Sequence, residues 1–219
     1  MFQPLHSREH PPLSLRIDLQ RWEHAGATTD RPLSTPERAV AELNLSLASV
    51  IAVFGTGPDV FASTMAEHVS AHGVVYSFEL TDEVVSHSVP RPPVASTRGC
   101  LRMRHKETAR VPLADETVDL VVWAFALRTL GHVATMLEET RRILRPGGRV
   151  AVVDWIRQEE SSGPRRDDRV SAATCERCLA AGGFGLVGQR TLNASHYMVV
   201  GRRPLGDAGW GLGIGTRTA

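Results

Sequence analysis

The stretch VFGTGPDVF, Val53–Phe61, lies between the apolar run ASVIAV and a segment, ASTMAEHVSAHG, whose spacing predicts a helix. Gly55 and Gly57 fall one residue apart at this strand-to-helix junction. In an open α/β sheet, ligands bind beyond the carboxyl ends of the strands, near the point where strand order reverses, and the first strand-to-helix turn is the usual contact. Glycine there frees the backbone and lets a ligand approach closely. A tight turn without a ligand uses the same residues, and Pro58 and Asp59 stand where more glycine would be expected.

Working outward, strand and helix patterns alternate. Strands are predicted at Val50–Phe54, Val74–Glu79, Val118–Trp123, Arg149–Asp154, Gly185–Leu192 and His196–Arg202. Helices are predicted at Val60–Ala71, Val133–Leu144 and Ser171–Ala181. A further helix is expected from STPERAVAELNL, with Thr35 and Arg38 in capping-box positions. Near-continuous Val/Ile/Leu strands between helices indicate a parallel sheet covered on both faces. The last two strands are joined only by Asn193–Ser195, which permits an antiparallel hairpin but no parallel crossover. The expected fold is therefore α/β, a Rossmann-like doubly wound sheet, mostly parallel with an antiparallel C-terminal hairpin. Residues 1–31 read as an extension with one short amphipathic helix around Leu15, Leu19 and Trp22. Residues 32–204 read as the main domain, and 205–219 as a flexible glycine-rich tail.

The 25 basic residues nearly cancel the 24 acidic ones, and no Lys/Arg block stands out, so a nucleic-acid partner is not expected. No apolar run approaches the roughly 20 residues of a membrane span. The first residues lack the apolar core of a secretory signal, and a cytoplasmic address is expected. Three cysteines do not make a disulfide framework and fit a reducing compartment.

The second predicted strand ends in YSFEL, and Glu79 lies near the offset at which an acid accepts hydrogen bonds from a ribose. Further on come RVPLADETVDLVVWAFALRTL and LEETRRILRPGGRVAVVDW. Taken with VFGTGPD, Glu79, KETARVP, Asp119 and Pro146-Gly147-Gly148, they resemble the class I S-adenosylmethionine-dependent methyltransferases. The similar branch is the small-molecule group of ubiquinone/menaquinone biosynthesis C-methyltransferases and arsenite methyltransferases (methyltransferase type 11). The resemblance covers about Pro32 to Pro204 and implies S-adenosyl-L-methionine as cofactor and a small-molecule methyl acceptor as partner. It further implies that Gly55, Thr56 and Gly57 cradle the methionine part and that Glu79 binds the ribose. Glu107 would accept from the adenine amino group, with the Thr108 backbone beside it. Asp119 reads either as a ligand or as a cap on a turn, and Pro146-Gly147-Gly148 as the end of a helix.

Two positions depart from that family's pattern: Val53 stands where an acid is expected and Asp59 where a third glycine is expected. Asp59 either supplies part of the missing charge or caps the following helix. Methyl transfer from a sulfonium is an in-line displacement that rests on positioning, and a base is required only for an acceptor that must lose a proton. Positions expected to face the acceptor are Trp123, Arg128, His132, Asp154, Trp155 and Arg157. Arg128 suits an anion clamp, and a base role falls to His132 or His196. Cys175 and Cys178, one helical turn apart, read as packing residues rather than metal ligands, and no metal site is expected. Two alternatives stay open. One is a methyltransferase-like protein without catalysis, kept for binding or assembly. The other is a nicotinamide-dependent oxidoreductase, which would want Gly at position 60, where Val stands.

Overall fold

The computed structural model describes residues 34–45, 50–55, 59–69, 73–81, 100–106, 110–128 and 131–206. The predicted N-terminal helix and nearly all of the predicted tail lie outside the described residues.

Seven strands form one sheet: β1 Val50–Gly55, β2 Val74–Thr81, β3 Cys100–Lys106, β4 Val118–Ala124, β5 Leu144–Trp155, β6 Gly185–Thr191 and β7 His196–Arg202. Their order is β3-β2-β1-β4-β5-β7-β6. The first five are parallel, and β7 runs antiparallel to both β5 and β6. Strand order therefore reverses between β1 and β4, where a ligand cleft opens in a doubly wound sheet. β3 is one strand more than the sequence predicts. CLRMRHK alternates apolar and basic residues and carries no β-branched residue, so the Val/Ile-rich signature of the central strands is missing.

Ile51, Ala52, Val53 and Phe54 of β1, and Leu120 to Ala124 of β4, are all buried, as expected of central strands covered on both faces. Helix α1 (Thr35–Leu43) buries Ala39, Val40 and Leu43. Its start lies one residue from the predicted one: Ser34 is the N-cap, and the Glu37 carboxylate accepts the Ser34 backbone N–H at 2.7 Å. Helix α2 is Asp59–His68, and Asp59 is its first residue rather than the cap before it. Helix α3 (Val133–Ile143) buries Met136, Leu137, Thr140 and Ile143 and carries Arg141 and Arg142 in its last turn, as the helix dipole favours. In helix α4 (Ala172–Ala181), the N-cap Ser171 accepts the Thr174 N–H at 3.2 Å.

Pro146-Gly147-Gly148 does not end α3, contrary to the sequence reading. The helix stops at Ile143 and β5 begins at Leu144, so the three residues lie inside β5. They form an irregularity where Val118 pairs Leu144 and Leu120 pairs Arg149. Gly147 adopts φ +78°, its N–H donates to the Arg203 carbonyl, and the Arg203 N–H donates to the Gly148 carbonyl. The glycines thus let an offset stretch of β5 keep its bonds to the chain after β7. Among the described residues, no helix is long and apolar enough to cross a membrane.

Candidate functional site

Register fixes what meets at the carboxyl edge. Gly55 pairs with Glu79 on one side and with Ala124 on the other, Ala124 pairs with Val153, and Val153 pairs with Met198. At about 4.8 Å per strand, Glu79 and Val153 end a row roughly 14 Å long. Gly55 has a packing reason of its own: a Cβ there would lie 2.2 Å from the Ala124 carbonyl oxygen. Only glycine lets β1 and β4 close at the point where strand order reverses. Glu79 is exposed, and β2 runs two residues beyond it, so its carboxylate stands beside the end of β1.

Thr56, Gly57, Glu107 and Thr108 lie outside the described residues, as does the Asp59 side chain. The segment just after Glu107 is nevertheless fixed from α3. Glu139 accepts the Val111 N–H at 2.7 Å. Arg142 donates to the Val111 and Leu113 carbonyls and to Asp115. Burial raises the Glu139 pKa most, but the hydrogen bonds from Arg142 and the Val111 N–H together with the Arg142 and Arg110 charges outweigh it and hold the carboxyl below the ordinary glutamate range.

Beyond β4, Arg128 is exposed at the end of the turn, and His132 is exposed as the N-cap of α3. Trp123 does not face an acceptor. It is fully buried, and its indole N–H donates to Thr140 Oγ1 at 3.2 Å beneath α3. Asp119 is structural: it lies at the amino end of β4, accepts the Val50 N–H at 2.7 Å and pairs with Arg145. Arg157 makes an exposed ion pair with Asp167.

Because β7 is antiparallel, His196 at its start sits beside Trp155 at the end of β5. The Trp155 and His196 rings are 4.2 Å apart, and Phe125 approaches both at 5.8 and 5.0 Å. Phe125, the residue after β4, takes φ +54° while its N–H donates to the Val153 carbonyl. A bulky side chain in the left-handed region is strained, and such strain clusters at functional sites. Asn193 Oδ1 already accepts the Ser195 and His196 N–H groups, and Asn193 Nδ2 donates to Thr35 Oγ1. His196 Nδ1 lies 3.0 Å from Thr35 Oγ1 and 3.1 Å from Asn193 Oδ1, so these two groups hold the ring through that nitrogen. Burial lowers the His196 pKa, so the ring is neutral at pH 7.

Behind this cluster, Arg169 holds the chain after β5. Its buried guanidinium lies 4.9 Å from the Trp155 ring and donates to the Pro164, Ile156 and Ser162 carbonyls and to Glu160. Glu160 also accepts from the Ser195 hydroxyl, which ties this loop to the β6–β7 turn. The sequence offered no signal for Phe125 or Thr35, whose partners are far along the chain, nor for Arg169, which gathers an irregular loop that has no periodic pattern. Cys175 is buried, burial pushes its thiol pKa up, and it packs as an inert core residue. Among the described residues, no three His, Cys, Asp or Glu side chains lie close enough to hold a metal.

Residues 53–152 match the family model described as Methyltransferase domain. The chain is 30% identical over 132 residues to an arsenite methyltransferase of Halobacterium salinarum, covering 60% of this chain and 32% of that protein. It is 33% identical over 119 residues to the ubiquinone/menaquinone biosynthesis C-methyltransferase UbiE of Syntrophotalea carbinolica, covering 53% and 48%. The chain thus spans a third to a half of the length of these curated relatives. Among solved structures, a SAM-dependent methyltransferase from Aquifex aeolicus superposes with a TM-score of 0.68 at 23% identity, over 76% of this chain and 88% of that one. The [4+2]-cyclase SpnF superposes with a TM-score of 0.59 at 13% identity, over 78% and 80%.

Proposed function

We propose, on the premise that this chain belongs to the class I methyltransferases by fold and by the sequence of residues 53–152, that it transfers the methyl group of S-adenosylmethionine to a small-molecule acceptor. The observation that carries this reading is the row Glu79, Gly55, Ala124, Val153 along the carboxyl edge, at the reversal of strand order. An exposed carboxylate beside a closely packed glycine turn fits the paired hydroxyls of a ribose, because a carboxylate accepts two hydrogen bonds side by side. The cofactor, when bound, supplies an electrophilic methyl on a sulfonium.

In this reading, Gly55, Thr56, Gly57 and Asp59 hold the amino-acid end of the cofactor. Glu79 holds the ribose, and Glu107 and Thr108 hold the adenine. The acceptor lies over the ends of β4 and β5, the small-molecule side of the cleft. Arg128 clamps an anionic group of the acceptor there. His196, its Nδ1 held by Thr35 and Asn193, lines the acceptor site beside Phe125 and Trp155. His132, exposed at the start of α3, is placed to move a proton between acceptor and solvent.

The [4+2]-cyclase SpnF shares the fold, and fold alone does not fix function, so cofactor binding is the direct test. Calorimetric and thermal-shift titration with S-adenosylmethionine and S-adenosylhomocysteine tests the reading. Ligand at about 100 times its dissociation constant raises stability by about 2.7 kcal/mol. No change at millimolar ligand would sink methyl transfer and leave the silent-fold alternative, which Val53 and Asp59 favour. Given binding, Glu79→Ala removes most of the affinity; an unchanged dissociation constant refutes the ribose assignment.

A further inference from the structure

Asp154 is the penultimate residue of β5, 2% exposed, and stands one position beyond the row that ends in Val153. Its Oδ1 accepts the Trp155 N–H at 2.8 Å. Oδ2 is also buried and has no hydrogen-bond partner among the described residues. A buried carboxylate oxygen left without a donor is rare in a folded protein and requires an account. The Leu127 N–H of the turn after β4 is near enough to favour the charge, and no surrounding side chain among the described residues supplies a donor. The Tyr197 hydroxyl, from the cross-strand partner of Asp154, donates instead to the Val170 carbonyl at 3.0 Å. Cys175 of α4 lies near enough to feel the charge of Asp154, and the Arg128 charge reaches the carboxyl from the turn after β4. Burial holds both Tyr197 and Cys175 well above their ordinary ranges, so both are neutral at pH 7.

We propose that Asp154 Oδ2 is the proton acceptor for the methylated substrate, and that the reacting group of this substrate is a neutral O–H or N–H that binds with its proton still in place. The proposal rests on the methyl-transfer reading above. In the step, the lone pair of the acceptor oxygen or nitrogen forms the bond to the methyl carbon while the bond from carbon to sulfur breaks and leaves its electrons on sulfur. The acceptor's O–H or N–H proton passes to Oδ2. The sulfonium charge and the carboxylate charge are discharged together, and the neutral acid returns its proton to solvent as product leaves.

Three features fit. The carboxyl lies at the carboxyl end of β5, beside the end of β4. One oxygen is fixed by the backbone, which orients the other. Burial, opposed by the Trp155 and Leu127 N–H groups and the Arg128 charge, pushes its pKa up to about 6. A base poised there is ionised at neutral pH yet avid enough to take a proton.

The test uses the full chain with carboxyl-13C aspartate, and phenol as the probe, with anisole as its control without an O–H. The Asp154 signal is assigned by its loss in Asp154→Asn. The expected titration midpoint is near 6, and phenol lowers it, because a donated hydrogen bond favours the ionised form. Anisole leaves it in place, and Asp154→Asn weakens phenol about tenfold or more, the worth of one hydrogen bond to a charged oxygen. A midpoint at the ordinary carboxylate value, a midpoint unmoved by phenol up to its solubility, or an equal response to anisole overturns the proposal. S-adenosylhomocysteine titrated into the same sample separates the two ideas. If it binds while Asp154 ignores phenol, only this proposal fails; if it does not bind, the methyl-transfer reading fails.

Discussion

Asp154→Asn tests the energetics of the same carboxyl without any ligand. Folding moves its pKa from the ordinary 3.8 to about 6, chiefly because burial penalises the charge. The side chain is only 2% exposed, so solvent screening does not erase the effect. At 1.36 kcal/mol per pKa unit, the ionised carboxylate opposes folding by about 3 kcal/mol. The raised value fixes the direction. Between pH 4 and pH 6 the folded state holds a proton that the unfolded chain has released, so stability falls as pH rises through this window. The cost is complete above the folded pKa and absent below the unfolded one. An asparagine keeps the oxygen that accepts the Trp155 N–H and carries no charge. Urea unfolding of both proteins from pH 4 to pH 8 should therefore show the variant gaining on the natural protein by about 3 kcal/mol, all of it between pH 4 and about pH 7. In melting temperature this is roughly 6–12 °C for a chain of this size. The absolute offset between the two proteins includes the cost of the new amide and does not bear on the argument. A difference that stays flat with pH would refute it, because it would mean that the carboxyl is solvated or paired.

Other outcomes follow from contacts already described. Gly55→Ala forces a Cβ to within 2.2 Å of the Ala124 carbonyl and should cost about 3 kcal/mol or more; chemical denaturation with no loss would mean that β1 and β4 are not closed as described. Trp123→Ala opens a cavity under α3 and leaves the Thr140 hydroxyl without its donor, for a loss of about 3–5 kcal/mol, whereas an acceptor-facing tryptophan would lower activity and spare stability. Arg169→Ala removes the donor shared by the Ile156, Ser162 and Pro164 carbonyls, so limited proteolysis should cut within residues 157–168 well before the rest of the domain; uniform resistance would contradict that role.

The central strands were legible because they are buried on both faces, which demands the near-continuous Val/Ile/Leu runs seen at residues 50–54, 118–123 and 149–154. The hairpin was legible from the shortness of its link, and Gly55 and Glu79 from their offset. Strand β3 was not legible, because CLRMRHK lacks the apolar density of the central strands. The role of Pro146-Gly147-Gly148 was misread, because helix-ending glycines and glycines in an offset strand share one local signature, and the difference is made by Arg203, more than fifty residues away. Trp123 was misplaced for a similar reason: strand alternation does not say which face meets a helix and which meets a cleft.

By itself, the sequence determined the alternating α/β order, the parallel core and the turn at Gly55, since each follows from local burial pattern, chain length between strands or glycine's missing Cβ. Tertiary structure alone decided which side chains gather at the carboxyl edge. His196 reaches Trp155 only because β7 runs antiparallel, its Nδ1 is held by Thr35 from the other end of the domain, and Asp154 has a raised pKa because the folded chain buries it. Chemical character of that kind is set by desolvation and by neighbours distant along the chain, and no stretch of sequence carries it alone.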